Sequence, residues 1–382
     1  MAWSHSPTVR WLRRFLQSAF AAYNSFHISQ KTMRFGIVGA GVIGQLRAQS
    51  IKEHPSTELV AVFDPSAAAA AKAIAGSPAR AVPTLEDFLK LEMDAVIVSS
   101  PPHLHEEACL GALERGRHVL CEKPLTNALD SARRILEAAE EAGLALGVGF
   151  NLRYYPCIEF VKDAIDAGMI GDVDHLRVFG GHEGLPKFRI DWQYKAPESG
   201  GGAMWDVGIH MTDVAQYLMG GVTQVYGIMT EKVWHVPGSE DNAIAIFRNA
   251  GGLTASYHAT WNEWKGYRFY VEVYGTHGMV RGSYAPMQNV IITQDRPGGP
   301  RKTRRHYYPE IMVREKLFSW HTTALRSFHG ELRDFLAMTE GQDHGRLADG
   351  YDGVNAIAIA AAVRESTASG EVVHLTPRPV PV

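Results

Sequence analysis

The chain has 382 residues, 46% of them hydrophobic and 21% charged, with a formal net charge of -3. Such a length suits two domains with ample core rather than one, and the lack of a basic excess excludes nucleic acid as the main partner, because no cationic surplus is available to neutralise phosphates. Cys109, Cys121 and Cys157 are the only cysteines and form neither a metal-ligand pattern nor a disulfide framework, so no metal and a reducing, cytoplasmic location are expected; no apolar run reaches the roughly 20 residues of a bilayer span, so no membrane is expected either.

Residues 1–32 differ from the rest. They carry Arg10, Arg13, Arg14 and Lys31 and no acidic residue. Arg13-Arg14-Phe15-Leu16 loosely resembles a twin-arginine export signal, which would direct the chain to the periplasm. However, Ala19-Phe20-Ala21-Ala22 is soon broken by Tyr23-Asn24-Ser25 and no small-residue cleavage site is evident. The other readings are a basic amphipathic or disordered arm, and a non-native start with Met33 as the true beginning, which is preferred. Fold reasoning therefore starts at Met33.

From there β and α units alternate. Arg34-Phe35-Gly36-Ile37-Val38 has the nearly continuous apolar character of a buried parallel strand, and Gly39-Ala40-Gly41-Val42-Ile43-Gly44 follows at once. In that context Gly39 permits a tight turn, Gly41 lets backbone N–H groups approach a pyrophosphate, and Gly44 lets the helix beginning near Val42 pack on the strand. The next apolar run, Leu59 to Phe63, ends at Asp64, where an acidic residue would bond the adenosine ribose hydroxyls and repel a 2′-phosphate. NAD is thus expected as cofactor, with NADP possible. Ala95-Val96-Ile97-Val98 is a third buried strand and runs into Ser99-Ser100-Pro101-Pro102-His103-Leu104-His105, a loop at a strand's carboxyl end whose histidines can line the cofactor crevice. Strand His118 to Cys121 then delivers Glu122-Lys123-Pro124: proline cannot donate to a ladder, so a charged amine is held on the rim where open α/β sheets bind ligands. A helix from Ala128 to Ala142 and a strand from Leu144 to Gly149 complete this sheet.

Beyond Asn151-Leu152-Arg153-Tyr154-Tyr155-Pro156 the pattern changes. A helix (Ile158 to Ala167) leads into Val173 to Gly181, and strand-like segments follow without intervening helices at 224–230, 243–247, 253–261, 269–274, 279–284 and 290–293, predicting a mostly antiparallel sheet. Residues 298–305 read as a solvated loop, 322–338 and 351–364 as helices, and 371–375 as a last strand. Gly200-Gly201-Gly202 opens a predicted helix through Asp213 in which Asp206 and His210, four residues apart, share a face; the glycines would let a ligand approach its N-terminal end. Trp192, Tyr194, Trp205, Trp234, His235 and Trp264 can serve as platforms for sugar faces or as packing.

Taken in order, Gly39-x-Gly41-x-x-Gly44, Asp64, Glu122-Lys123-Pro124, Arg153 within N-x-R-Y-x-P, and Gly200-Gly201-Gly202 leading to Asp206-x-x-x-His210 resemble the Gfo/Idh/MocA family of NAD(P)-dependent oxidoreductases. Phe335, Asp349-Gly350 and Gly370-Glu371-Val372-Val373 extend the likeness over nearly all of Met33 to Leu375. The resemblance implies an α/β protein with a Rossmann doubly wound parallel sheet over 33–153. It further implies an α+β domain over 154–382 whose large open, mostly antiparallel sheet carries substrate on one face and subunit contacts on the other, in a homodimer or homotetramer. It implies hydride transfer to or from a carbinol carbon of a sugar, cyclitol or related polyol. By position Lys123 matches the active-site lysine, with Asp206 and His210 as the acid and histidine beside it. Gly39, Gly41, Val42, Ile43, Gly44, Asp64, Ser100, Pro101, His105, Glu122, Lys123 and Arg153 are the expected cofactor-binding set, Arg153 serving cofactor or substrate.

The chemistry requires these residue types. Loss of hydride from a secondary alcohol leaves an oxygen whose proton must be taken up, and imidazole suits that near neutral pH. An ammonium beside it stabilises alkoxide character and favours the neutral imidazole. Asp206 can orient the imidazole or bind a neighbouring substrate hydroxyl. The alternatives are an NADPH-dependent ketoreductase of nucleotide-activated sugars, an NAD-dependent redox glycosidase, and a dinucleotide-responsive regulator, which would have no use for Lys123 or His210.

Overall fold

The computed structural model describes residues 32–184 and 191–376; the readings made of 1–32 fall outside these apart from residue 32. The five runs read as strands, joined by two short strands that were not foreseen, Arg80–Val82 and Ala348–Asp349, form a seven-stranded sheet. Its members are β1 (Met33–Val38), β2 (Thr57–Phe63), β3 (Arg80–Val82), β4 (Ala95–Val98), β5 (His118–Glu122), β6 (Leu146–Gly149) and, far along the chain, β15 (Ala348–Asp349). The order is β15-β6-β5-β4-β1-β2-β3, with all pairs parallel except β15 against β6. The central strands β1 and β4 are apolar on both faces because both are covered. Phe35, Ile37, Leu59, Val62 and Ile97 enter one core, while Val38, Val96, Val98 and Val119 enter the other. The helices here are α1 (Val42–Glu53), α2 (Ala67–Ile74), α3 (Leu85–Leu89), α4 (His105–Leu113) and α5 (Leu129–Ala142).

The second sheet has nine strands: β7 (Val173–Gly181), β8 (Gln224–Thr230), β9 (Asn242–Arg248), β10 (Thr254–Thr260), β11 (Arg268–Gly275), β12 (Gly278–Tyr284), β13 (Gln288–Gln294), β14 (Arg301–Tyr307) and β16 (Val373–His374). Their order is β14-β13-β12-β11-β7-β10-β9-β8-β16, and only β7 with β10 is parallel. One face is packed by α6 (Pro156–Asp166), α8 (Val207–Met219) and α11 (Gly350–Ser369), which give it Val161, Met211 and Val363. The other leaves Tyr226, Ile228, Ile244 and Ile246 exposed. Among the described residues no helix is long and apolar enough to cross a membrane, and no His/Cys/Asp/Glu group fits a metal ion.

Several expectations are corrected. The stretch read as a solvated loop at 298–305 contains most of β14, an edge strand paired with β13 whose seven residues are all exposed; its basic side chains mask the strand signal while suiting an unpaired edge. A helix not foreseen, α9 (Pro309–Phe318), follows it, and a short one, α7 (Ala196–Ser199), precedes the glycine run. The helix predicted to run from the glycines through Asp213 starts only at Val207. Late in the chain, on α10 (His321–Thr339) and the turn after it, Leu332, Phe335 and Leu347 close the core that holds Phe35 and Ile37, before β15 joins β6. Composition cannot show that the apolar side of α10 faces the first sheet.

Candidate active site

The first sheet presents its carboxyl ends to one rim. At β1, Gly39 adopts a φ of 90, and a Cβ there would lie 2.5 Å from the Ser100 backbone nitrogen; a Cβ on Gly44 would lie 2.0 Å from the Gly39 carbonyl oxygen. By contrast, a Cβ on Gly41, just ahead of α1, would meet nothing within 4 Å. Open space therefore lies in front of the helix N-terminus, where unpaired N–H groups favour an anion. Val42 is exposed, whereas Ile43 turns its side chain onto Leu46, Ala324 and Phe328, leaving its backbone as the part able to meet a ligand. Asp64, at the end of β2, accepts from Ala40 N at 2.7 Å and from Ser66 N at 2.7 Å, so it ties down the glycine turn. The hydroxyls of Ser99 and Ser100, at the end of β4, are buried with no hydrogen-bond partner among the described residues; Pro101 follows them, half-buried. These orphaned hydroxyls, the open space at Gly41 and the unpaired helix N-terminus fit a dinucleotide.

His105 is not free to take a ligand. Its Nδ1 lies 3.1 Å from the carbonyls of both Pro124 and Leu125, its Nε2 lies 2.7 Å from the Ser100 carbonyl, and burial pushes the imidazole below its ordinary pKa. It braces the turn that carries Lys123. Glu122 is likewise committed: Oε1 accepts from Arg47 Nε at 2.7 Å, and Arg47 also reaches Glu331 at 2.8 Å. Arg153 departs furthest from expectation. Its guanidinium is buried, binds Asp213 through two bonds of 2.8 and 2.6 Å, lies 3.0 Å from Asp352 and stacks on Tyr217.

The second sheet supplies the opposite wall. Close approach of α8 to β10 depends on Gly208, where a Cβ would sit 2.5 Å from the Tyr257 hydroxyl. Ahead of α8, the Glu240 carboxylate accepts from Gly202 N and Met204 N, and a Cβ on Gly202 would sit 2.0 Å from the Glu240 carbonyl oxygen. The glycine run thus serves packing, against Glu240, Trp205 and Arg364, rather than access for a ligand. Asp206 is the residue before α8, and its carboxylate is bonded to groups other than His210: Oδ2 accepts from His182 Nε2 at 2.8 Å and from Trp261 Nε1 at 3.1 Å. Lys123 Nζ donates to the Asp206 backbone carbonyl at 3.3 Å, which brings the two walls together. Burial alone would raise the Asp206 carboxyl, but the hydrogen bond from His182, with Lys123 and Trp261 after it, brings it to about 2. On α8, His210 packs against the edge of Phe150; its Nδ1 is buried without a partner among the described residues. Burial, then the Lys123 ammonium, hold its pKa well below the usual value against the opposing effect of Asp206. A neutral imidazole, an ammonium and an ionised carboxylate thus share one cleft, a set able to move a proton and stabilise charge on an oxygen.

His182 and Trp261 were not foreseen. Each directly follows a strand of the second sheet, β7 and β10, so the strand-end position that drew attention to Lys123 was available for them too. Of the aromatic platforms considered, Trp205 is buried beneath Arg364, Trp234 donates to the Trp261 carbonyl, Tyr194 packs edge-on against Trp261, and Trp264 is 70% exposed.

Residues 33–150 match a family model described as an oxidoreductase family with an NAD-binding Rossmann fold, and residues 158–281 match the GFO/IDH/MocA C-terminal domain. The 1,5-anhydro-D-fructose reductase of Ensifer adhaerens is 30% identical over 90% of this chain and 98% of that protein. The inositol 2-dehydrogenase of Rhizobium meliloti is 29% identical over 88% and 97%. Among solved structures, levoglucosan dehydrogenase in complex with NADH and L-sorbose shares the fold at a TM-score of 0.79, with 22% identity over 91% of this chain and 99% of that one.

Proposed function

The chain belongs to the Gfo/Idh/MocA family of NAD-binding oxidoreductases, and from that premise we propose that it moves a hydride between NAD and a secondary hydroxyl or keto carbon of a sugar or cyclitol. The observation that carries this reading is the His210 imidazole, whose Nδ1 has no partner among the described residues and which burial and the charge of the Lys123 ammonium hold neutral. Two relatives named for a reductase of an anhydro-sugar and a dehydrogenase of inositol support the substrate class.

The glycine loop from Gly39 to Gly44 would hold the pyrophosphate, Asp64 the adenosine ribose, and Ser99 and Ser100 the portion nearer the cleft. Bound NAD supplies the hydride acceptor in oxidation and, reduced, the donor in reduction. His210 takes the hydroxyl proton as the carbinol is oxidised and returns it in the reverse direction. Lys123 donates to the same oxygen and stabilises its alkoxide character. The Asp206 carboxylate, bound through Oδ2 to His182 and Trp261 rather than to His210, keeps Oδ1 for a second substrate hydroxyl; this favours substrate binding over orientation of the imidazole. The exposed Tyr226, Ile228, Ile244 and Ile246 fit a face covered by another copy in a homo-oligomer.

His210→Gln is expected to lower kcat by about 10²–10⁴ while leaving dinucleotide affinity within about twofold. Nicotinamide absorbance followed over a panel of sugars, inositols and sugar nucleotides measures the first, and protein fluorescence titrated with NADH the second. Near-wild-type turnover would remove His210 from the chemistry.

A further inference from the structure

The carboxylate and the ammonium in the cleft do not pair with each other. Lys123 Nζ bonds the Asp206 backbone carbonyl, while the carboxylate takes its donors from His182 and Trp261. Opposite charges in a partly desolvated cleft attract strongly, so something must hold them apart. His182 is placed to do so. It follows β7 directly, and its backbone is fixed at both ends, His182 N donating to the Thr260 carbonyl and Glu263 N donating to the His182 carbonyl, each at 3.1 Å. Its ring is 4% exposed. Gly184 N–H donates to Nδ1 at 2.9 Å, so Nδ1 offers a lone pair and the ring proton resides on Nε2, which donates to Asp206 Oδ2. Trp261, which can only donate, gives its indole N–H to the same oxygen.

We propose that His182 is a positioning residue that, with Trp261, holds the Asp206 carboxylate off the Lys123 ammonium. One carboxylate oxygen is thereby kept for a substrate hydroxyl and the ammonium for the reacting oxygen. The proposal rests on the reading of Asp206 as a substrate ligand. Without His182 the carboxylate keeps only the indole N–H and swings toward Lys123, which weakens hydroxyl binding and cancels the positive charge seen by His210. The charged groups facing His210 are Lys123, from the turn after β5, and Asp206, ahead of its own helix; Phe150 presents only an uncharged ring edge.

The test compares His182→Leu, His182→Gln, Asp206→Asn and the double variant His182→Leu/Asp206→Asn, with polyol oxidation followed across pH and NADH affinity measured separately. His182→Leu is expected to lower kcat/KM by about tenfold or more, chiefly through KM. The acid limb of kcat should move to higher pH as His210 loses the uncompensated charge of Lys123, with NADH affinity unchanged. His182→Gln, which restores an N–H at similar reach, should recover most of the loss. His182→Leu should add little in the Asp206→Asn background. A purely structural role would cost stability without moving the pH limb. If the leucine variant does not fold, His182→Asn retains an acceptor for the Gly184 N–H but falls short of Asp206 and is read in its place. An Asp206→Asn variant with unchanged kcat/KM overturns the reading of Asp206 and the role of His182 with it. A damaged Asp206→Asn variant beside an unaffected His182→Leu variant overturns the role of His182 alone.

Discussion

Arg153→Met should destabilise the protein severely and leave dinucleotide affinity untouched. Arg153 is 3% exposed, and its guanidinium makes two bonds to Asp213, lies 3.0 Å from Asp352 and stacks on Tyr217. Removing it strands Asp213, which is 0% exposed and whose carboxyl burial already pushes above its ordinary pKa, with the attraction of Arg153 opposing. Breaking a buried pair by removing one partner costs about 3–5 kcal/mol. At about 2 °C per kcal/mol for a chain of this size, Tm should fall by about 6–10 °C. Arg153→Met/Asp213→Leu should regain part of the loss, since the stranded charge is gone. Thermal and urea unfolding give the stability, and NADH fluorescence titration below the unfolding range gives the affinity. A tenfold loss of NADH affinity at unchanged stability would refute the structural assignment and return Arg153 to the cofactor.

Lys123→Met removes the second cause of the depressed His210 pKa while burial, the larger, remains. The acid limb of kcat should therefore move toward higher pH yet stay below the ordinary imidazole value, and kcat should drop; an unmoved limb would separate the two residues. Glu331, buried against Arg47 and Glu122, has its carboxyl raised by burial first from 4.5 to about 8, with Arg47 opposing and Glu122 adding to the rise. Between those values the folded protein holds a proton the unfolded chain has lost. This contribution to stability is therefore full below the lower value and fades as pH rises through the upper one. Glu331→Gln should flatten that decline, read from urea midpoints across the window; an unchanged slope would mean that Glu331 is ionised in the fold.

Much of the site was legible because its positions follow from local rules. A strand followed by Gly39, Gly41 and Gly44 and then a helix is the local pattern of a phosphate cradle, and Lys123 is placed at the rim by a strand that stops before Pro124. The Asp206 and His210 pair was found by helical spacing, but the helix starts one residue after Asp206, so the spacing brought them near without making them face each other. The glycines at 200–202 were read as access for a ligand because sequence shows only a missing side chain; Glu240 and Trp205 occupy that space. The partners of His105 and Arg153 were hidden for a similar reason, since the carbonyls of Pro124 and Leu125 and the carboxylate of Asp213 lie elsewhere in the chain.

By itself the sequence determined the two sheet types and the position of the glycine loop at a strand end, and it singled out Lys123, Asp206 and His210 as candidates, because apolar periodicity, glycine spacing and strand ends act within an element or its immediate neighbours. Only the tertiary structure decided what each charge faces. Arg153 meets Asp213 across 60 positions, Asp206 meets Trp261 across 55, and Lys123 meets the Asp206 carbonyl across 83. Such partners are set by how α8 lies on the second sheet and how both walls close on the cleft, and hydrogen-bond geometry resolves distances of a few tenths of an ångström that no spacing rule along the chain contains.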